Sequence, residues 1–288
     1  MITLRQSLTA ATQQLATDEH LRAEAPRDAE LLLLHTLQIP RATLLAHPEL
    51  ELTSDQLYLY EQTIHRRLQY EPVQYITGQQ EFYGLTLRVS PAVLIPRPET
   101  EHLVESVLAR LPHDHPVSIA DVGTGSGAIA IALAVHLPEA HVTALDLSTE
   151  ALHLAQLNAE NHNVAHRIRF LHSDLFAALP PGAAFDAIVS NPPYVPTSDR
   201  PDLHPQVREY EPVTALFAGS DGLDIYRRLI PQAQHLLKPN GLLALEIGQG
   251  QQASLTALLE SWRDLFFIND LQQIPRVAVA TRPSATHA

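Results

Sequence analysis

The 288-residue chain contains no cysteine. That excludes disulfides, thiolate metal sites and cysteine nucleophiles, and it agrees with a cytoplasmic location. No apolar run approaches the length of a bilayer-spanning helix. The opening stretch "MITLRQSLTAATQQL" lacks the apolar core of a signal peptide, so neither a membrane nor an export route is expected. Positive charge is scarce: 19 Lys and Arg stand against 32 Asp and Glu, a formal net charge of -13. A protein that grips duplex nucleic acid usually carries a basic field, because phosphate neutralisation dominates its affinity. The balance therefore points away from stable nucleic-acid binding and toward a protein or small-molecule substrate. Adjacent Arg66 and Arg67 are expected on a solvated helix face. None of the 16 histidines falls in H-E-x-x-H, and the densest group, "PHDHP" at Pro112 to Pro116, reads as an exposed linker, so no metal is expected.

What is present is apolar material for a sizeable core, 45% of residues, in a chain long enough for two domains or one large one. Residues 1–80 read as helical. Leu4, Leu8, Ala11 and Leu15 mark one apolar face. "DAELLLLHTL" is a second helix whose Leu31 to Leu34 run implies burial on more than one side. Thr53 and Gln56 have capping-box spacing and start a third helix, "SDQLYLYEQTIHRRLQ". "EFYGLTLRVSPAVLI" alternates and holds a Gly and a Pro, so residues 81–100 read as a hairpin or extended linker. From Val117 onward the pattern changes. "VSIADVG", "HVTALDL", "IRFLHSDL", "FDAIVSN", "GLLALEIG", "FFINDL" and "RVAVATR" are candidate strands, most of the first five separated by helical segments. Such alternation predicts an α/β domain over 101–282 with a largely parallel sheet and helices on both faces. Only "QQIP" separates the last two strands, which are expected to be antiparallel. The tail, 283–288, is expected to be disordered.

"DVGTGSGAIA" places Gly123, Gly125 and Gly127 between a strand and a helix, where the backbone turns tightly and approaches a ligand without a Cβ clash. Asp146 ends the second strand, about 20 residues further on, where a carboxylate accepts the two hydroxyls of a ribose. This half of the site serves a nicotinamide dinucleotide and S-adenosylmethionine equally well. Asp174, near the end of the third strand, is either a contact to an adenine amine or the N-cap of a helix over "LFAAL".

"SNPPYVP", Ser190 to Pro196, decides the chemistry. Prolines cannot donate to a sheet ladder, so the strand stops at or before Asn191, at the sheet edge where α/β proteins bind ligands. The Asn191 amide oxygen and the Pro192 carbonyl are two acceptors that together hold the hydrogens of a planar NH2 group. Pro193 stiffens the turn, and the Tyr194 ring can lie against a planar amide or base. Two acceptors shift electron density onto the nitrogen and aim it at a methyl donor, a job of positioning that requires neither a metal nor a dedicated general base.

"NPPY" after "DVGTGSG" and "LD" resembles the S-adenosylmethionine-dependent amino-methyltransferases. "RRLQYEPVQYITGQQEFYGLTLRVSPAVLIPRPETEHLVE" and "VREYEPVTALFAGSDGLDIYRRL" resemble the HemK/PrmC family, the release factor glutamine methyltransferases. The resemblance covers nearly the whole chain. It is weakest over the first sixty or so residues and at "LQQIPRV", where the family commonly has a Gly before the arginine matching Arg276. It implies a Rossmann-like seven-stranded methyltransferase sheet preceded by an N-terminal helical bundle and a β-hairpin linker. It implies methyl transfer from S-adenosyl-L-methionine to the side-chain amide nitrogen of the Gln in the Gly-Gly-Gln motif of peptide-chain release factors. Gly123, Thr124, Gly125, Ser126 and Gly127 would cradle the methionine end of the cofactor, Asp146 would hold the ribose, and Leu175 would flank the adenine. Asn191 would touch cofactor and substrate, Asn191, Pro192, Pro193 and Tyr194 would bind the target amide, and the helical bundle would help to grip the release factor. On the residues themselves, Pro96 to Glu99 either shape the site or, as the favoured reading for Arg97, simply fix the linker through a pair with Glu99 or Glu101. The readings still open are an amino-methyltransferase acting on a nucleic-acid base or on a ribosomal-protein glutamine, and a catalytically inactive binding module.

Overall fold

The computed structural model describes residues 2–283. The expected disordered tail falls, from residue 284 on, outside the described residues. The chain forms two compact units, one of residues up to Gln79 together with Asp202–Tyr210, the other of Gln80–Pro201 and the residues from Glu211 on.

The first unit is helical: α1 (Leu4–Leu15), α2 (Ala25–Leu37), α3 (Arg41–Ala46), α4 (Ser54–Leu68) and α5 (Val73–Thr77). Thr53 caps α4 in a reciprocal capping box with Gln56, and Thr3 does the same for α1 with Gln6. Leu4, Leu15, Leu32, Leu33, Tyr60 and Ile64 build its core, and the Tyr60 hydroxyl donates to the Ala29 carbonyl at 2.9 Å. Two expectations change here. Leu31 is exposed while Leu32 and Leu33 are buried, so the leucine run is buried on one side of α2. Arg67 is not solvated: it is 4% exposed and its Nε donates to Asp28 at 2.7 Å, while Arg66 makes a two-pronged contact with Glu71. A buried charge survives only with a partner, and here the partner lies on α2. Asp202–Tyr210 adds a short helix, Pro205–Tyr210, to this unit; the Tyr210 hydroxyl donates to the Gln69 carbonyl at 2.7 Å.

Apart from Gln79, its first residue, a two-stranded hairpin, β1 (Gln79–Phe82) and β2 (Leu85–Arg88), opens the second unit. Tyr83 and Gly84 make its turn, both with positive φ (51° and 72°), the mirror-image geometry that suits the right-handed twist of a hairpin. After α6 (Glu101–Leu108) come β3 (Val117–Val122), α7 (Ala128–His136), β4 (Ala140–Asp146), α8 (Thr149–Asn161), β5 (Ile168–His172) and β6 (Phe185–Ser190). Beyond the Pro205–Tyr210 helix, α9, follow α10 (Val213–Leu216), α11 (Asp224–Leu236), β7 (Leu237–Glu246), α12 (Gln252–Leu258), β8 (Arg263–Asn269) and β9 (Pro275–Thr281). The sheet order is β5-β4-β3-β6-β7-β9-β8. β3 to β7 are parallel, and β9 is antiparallel to both β7 and β8.

Two cores flank this sheet. One packs α6, α7 and the hairpin side chains Phe82 and Leu87 on one face; the other packs α11 and α12 on the opposite face. "AIAIALAVH" is apolar on every side because α7 is enclosed: its first seven residues are all buried. Strand order reverses at β3, whose neighbours β4 and β6 lead away in opposite directions. In an open α/β sheet the crevice at the carboxyl ends of such strands is where ligands bind. The loops after β3 and β6 carry the two motifs singled out from the sequence.

Candidate active site

The Ser190 hydroxyl, at the end of β6, donates to the Val122 carbonyl at the end of β3 at 2.6 Å, so the two strand ends are clipped together. Over this clip lies a cavity of about 500 Å³, lined by Val122 to Ser126, Ala128, Leu145 to Ser148, Ser173 to Leu175, and Ser190 to Pro193. Pro96, of the Pro96 to Glu99 stretch expected to shape the site, lies on the wall, and so do residues not anticipated from the sequence, among them Ala92 to Leu94, Thr100, Pro212, Thr214, Ala215 and Ile225.

The glycine loop divides into two kinds of position. Gly123 and Gly125 have φ of +74° and +56°, and a Cβ on either would meet nothing within 4 Å. Gly127, at φ +82°, is different. A Cβ there would stand 3.0 Å from Ile131 Cδ1 and 3.1 Å from Ala155 Cβ. It is the N-cap of α7 and serves close packing against α8, and it is not among the cavity-lining residues. Loop shape is set from below. Thr124 donates to Asp121 Oδ2 at 2.6 Å, and Asn158 on α8 donates to the carbonyls of Ser126 (2.9 Å) and Arg88 (3.0 Å). Asp121 is fully buried, its Oδ1 has no partner among the described residues, and burial pushes its pKa up to about 7.

Asp146 ends β4 at the cavity. Its Oδ2 accepts from the Gly125 N–H at 2.8 Å and its Oδ1 from the Ser148 N–H at 2.9 Å. Burial raises its pKa, and these backbone donors work against that rise. A carboxylate has about four acceptor sites, so each oxygen keeps capacity for a hydroxyl donor. Leu175 lines the cavity with a left-handed φ of 50°. Asp174 also lines it but caps no helix: "LFAAL" is a turn in which Ser173 Oγ accepts from Ala178 N, and Asp174 pairs with Arg228 at 2.6 Å.

Asn191, Pro192 and Pro193 reach the cavity wall, whereas Tyr194 does not line it. The Tyr194 hydroxyl instead donates to Glu246 Oε1 at 3.2 Å, and its carbonyl accepts from Gln251 Nε2 at 3.0 Å. The ring thus fixes the turn from behind. Asn191 Nδ2 donates to Thr100 Oγ1 at 3.1 Å, and Thr100 Oγ1 donates to Glu246 Oε2 at 2.5 Å. Glu246, at the end of β7, is 2% exposed, and burial pushes its pKa up to about 7. Arg97 pairs with neither Glu99 nor Glu101. It contacts Glu211 at 2.6 Å, while Glu101 accepts from the Tyr83 N–H. Glu211 is a side chain buried to solvent, and a cation is what makes its burial tolerable. Thr100, Glu246 and Gln251 were missed in the sequence. A signal existed for Glu246: "LLALEIG" ends a strand on a carboxylate, as "HVTALDL" does at Asp146.

The arrangement fits a nucleoside-bearing cofactor. Two glycines face open space, a ribose-type carboxylate closes one end, and leucine and isoleucine side chains offer apolar flanks. Among the described residues no group of three or more His, Asp or Glu is placed to hold a metal ion, and no helix is long and apolar enough to cross a membrane.

Comparison with known proteins gives the family and the fold. Residues 6–78 match the PrmC N-terminal domain family, and residues 100–204 the methyltransferase small domain family. The chain is 45% identical to the release factor glutamine methyltransferase of Koribacter versatilis, over 99% of this chain and all of that one. It is 42% identical to that of Coxiella burnetii, over 98% and 100%, and 49% identical to that of Moorella thermoacetica, over 87% of each. Solved structures share the fold. The T. thermophilus 16S rRNA N2 methyltransferase, solved with AdoMet and guanosine, superposes with a TM-score of 0.54 at 22% identity, over 71% of this chain and 49% of that one. The hMettl16 catalytic domain, solved with an RNA hairpin, gives 0.57 at 16% identity, over 87% and 88%. With relatives this similar along its whole length, the chain belongs to the release factor glutamine methyltransferase family.

Proposed function

We propose that this chain methylates the side-chain amide nitrogen of the Gln in the Gly-Gly-Gln motif of peptide-chain release factors, using S-adenosyl-L-methionine. One observation carries the reading at the level of the site: Asn191 and Pro192 stand on the wall of the same cavity as Gly123, Gly125 and Asp146. When bound, S-adenosyl-L-methionine supplies an electrophilic methyl group on a sulfonium.

In this reading Gly123, Thr124, Gly125 and Ser126 shape the backbone cradle, Asp146 accepts from the ribose hydroxyls, and Leu175 gives the adenine an apolar contact. Gly127 keeps the cradle in place by letting α7 and α8 approach. Asn191 Oδ1 and the Pro192 carbonyl accept from the two hydrogens of the glutamine NH2. A primary amide nitrogen is a weak nucleophile because its lone pair is delocalised into the carbonyl. Acceptors on both hydrogens return density to nitrogen and hold it in line, and they strengthen as it gains positive charge. Pro193 holds the turn, and Tyr194 supports it from behind rather than by stacking on the substrate.

The helical unit is assigned to recognition of the release factor. Support comes from exposed apolar side chains on it, Leu31, Leu45, Leu50, Tyr58 and Leu59, together with its match to the family's N-terminal domain. The net charge of -13 favours a protein over a nucleic acid as substrate, and a substrate belonging to the translation machinery supports a cytoplasmic location. Incubation with S-adenosyl-L-methionine and, separately, a release factor, a ribosomal protein and duplex DNA tests the assignment. Methyl transfer is expected to the release factor alone, and transfer to either of the others in its place would overturn it.

A further inference from the structure

The side-chain amide of Asn191 can be flipped end for end with almost no change in shape, yet only one orientation suits the proposed reaction. With Oδ1 toward the substrate it accepts from the target NH2. With Nδ2 toward the substrate it sets donor against donor. Something must choose, and the structure contains a chain of hydrogen bonds that does. Thr100 Oγ1 lies 2.5 Å from Glu246 Oε2 and 3.1 Å from Asn191 Nδ2. A hydroxyl has one proton to give. An ionised carboxylate only accepts, so the Thr100 proton goes to Glu246, and Thr100 can then only accept from its other neighbour. That neighbour must present an N–H.

We propose that Thr100 and Glu246 are positioning residues that set the polarity of Asn191, so that its Nδ2 is committed to Thr100 and its Oδ1 is turned to the amide being methylated. Glu246 does a second job with its other oxygen by accepting from the Tyr194 hydroxyl at 3.2 Å. One buried carboxylate thus orders both ends of the Asn-Pro-Pro-Tyr turn. The proposal deepens, and rests on, the role given to Asn191 under Proposed function.

The polarity depends on the charge of Glu246. If Glu246 takes up a proton it can donate to Thr100, whose own proton is then released toward Asn191, and the amide is free to flip. Burial raises the Glu246 pKa to about 7, and Glu99 adds to that rise. The Thr100 and Tyr194 hydroxyls lower it, as does Arg276 beside it at the start of β9. From α11 the Tyr226 hydroxyl faces the Glu246 backbone carbonyl at 2.7 Å, and Arg97 exerts its influence on Tyr194. The ionised, correctly polarised state therefore prevails above about pH 7 and is lost as the pH falls through that value.

Thr100→Val and Thr100→Ser, in the full chain, test the relay. Valine keeps the shape and removes the hydroxyl; serine keeps the hydroxyl. With a release factor as substrate, Thr100→Val is expected to lower kcat by roughly ten- to a hundredfold, the scale of a misplaced reacting group. It should abolish the acid limb of the kcat profile near pH 7. Thr100→Ser is expected to restore most of kcat and the limb. A second readout needs no substrate. The NMR signals of the Asn191 side-chain NH2, assigned by their loss in Asn191→Asp, should shift with an apparent pKa near 7 in the wild type and not in Thr100→Val. Signals that fail to titrate, or a Thr100→Val enzyme with wild-type kcat and pH profile, overturn the proposal. If the amide titrates as described but the wild type leaves every release factor unmethylated, the relay stands and the substrate reading falls.

Discussion

Gly125→Ala and Gly127→Ala separate the two uses to which the glycine loop is put. Both residues have positive φ, +56° and +82°, so any L side chain costs about 1–2 kcal/mol at either position. At Gly127 the added methyl would also stand 3.0 Å from Ile131 Cδ1, 3.1 Å from Ala155 Cβ and 3.3 Å from Ala155 Cα. Ile131 is fully buried and the Ala155 backbone belongs to α8, so neither has room to retreat. Overpacking of this kind adds about 1–3 kcal/mol. Gly127→Ala should therefore lose about 2–5 kcal/mol of stability, and Gly125→Ala only about 1–2 kcal/mol. Binding should rank the other way. The Gly125 methyl would stand in open cavity where the cofactor approaches the backbone, while the Gly127 methyl would lie behind the wall. Urea denaturation gives the stabilities, and calorimetry with S-adenosylhomocysteine gives the affinities. Gly125→Ala should lose no more than about 1–2 kcal/mol in urea and bind at least about tenfold more weakly, the scale of one or two lost close contacts. Gly127→Ala, where folded, should bind better than Gly125→Ala. Wild-type affinity in Gly125→Ala would refute the cradle, and wild-type stability in Gly127→Ala would refute the packing argument.

Other outcomes follow from the same geometry. Asp146→Ala should weaken S-adenosylhomocysteine binding by about 1.5–3 kcal/mol, the range for hydrogen bonds to a charged group, as read by calorimetry. It should also lower the melting temperature, because the Gly125 and Ser148 N–H groups lose their acceptor. Asn191→Ala should lower kcat for release-factor methylation by roughly 10²–10³, the cost of deleting one preorganised partner of a transition state, in steady-state assays. Asp121 gives a pH signature. Its folded pKa of about 7 lies above the usual 3.8, so the folded state holds the proton more tightly than the unfolded state does. Its contribution is therefore greatest below about pH 4, falls as the pH rises toward 7 and is level above that, a span of about 4 kcal/mol. Asp121→Asn keeps an acceptor for the Thr124 hydroxyl and for the Ala130 N–H, which donates to Asp121 Oδ2 at 3.2 Å, and should flatten that part of the stability profile, measured as urea midpoints at pH 5 and 8.

How much of this was legible in the sequence depends on the range of the interaction. The capping box of Thr53 and Gln56, the glycine turn and the prolines that end β6 are local, and local chemistry dictates them. The alternation of strands and helices likewise marks out the parallel sheet and its crevice. Long-range partners left no such mark. Asp28 lies 39 residues from Arg67, Glu211 lies 114 from Arg97, and Glu246 lies 146 from Thr100. Each of those charges looks solvated or locally paired until the fold brings its partner to it. Tyr194 shows the same limit. The motif drew attention to its ring, whereas the fold turned the ring toward β7 and left Asn191 and the prolines at the cavity. Nothing periodic in Asp202–Tyr210 told of its membership in the helical unit.

The central claim is that a glutamine amide nitrogen on a release factor receives the methyl group. The direct measurement is tandem mass spectrometry of the peptide bearing Gly-Gly-Gln, after a release factor is incubated with this enzyme and S-adenosyl-L-methionine carrying an isotopically labelled methyl. The account predicts one labelled methyl on the side chain of that glutamine, and none when the glutamine is replaced by glutamate, which has no NH2 to accept it. A labelled methyl on another residue, or an unlabelled glutamine in the presence of an enzyme that binds the cofactor, would contradict it.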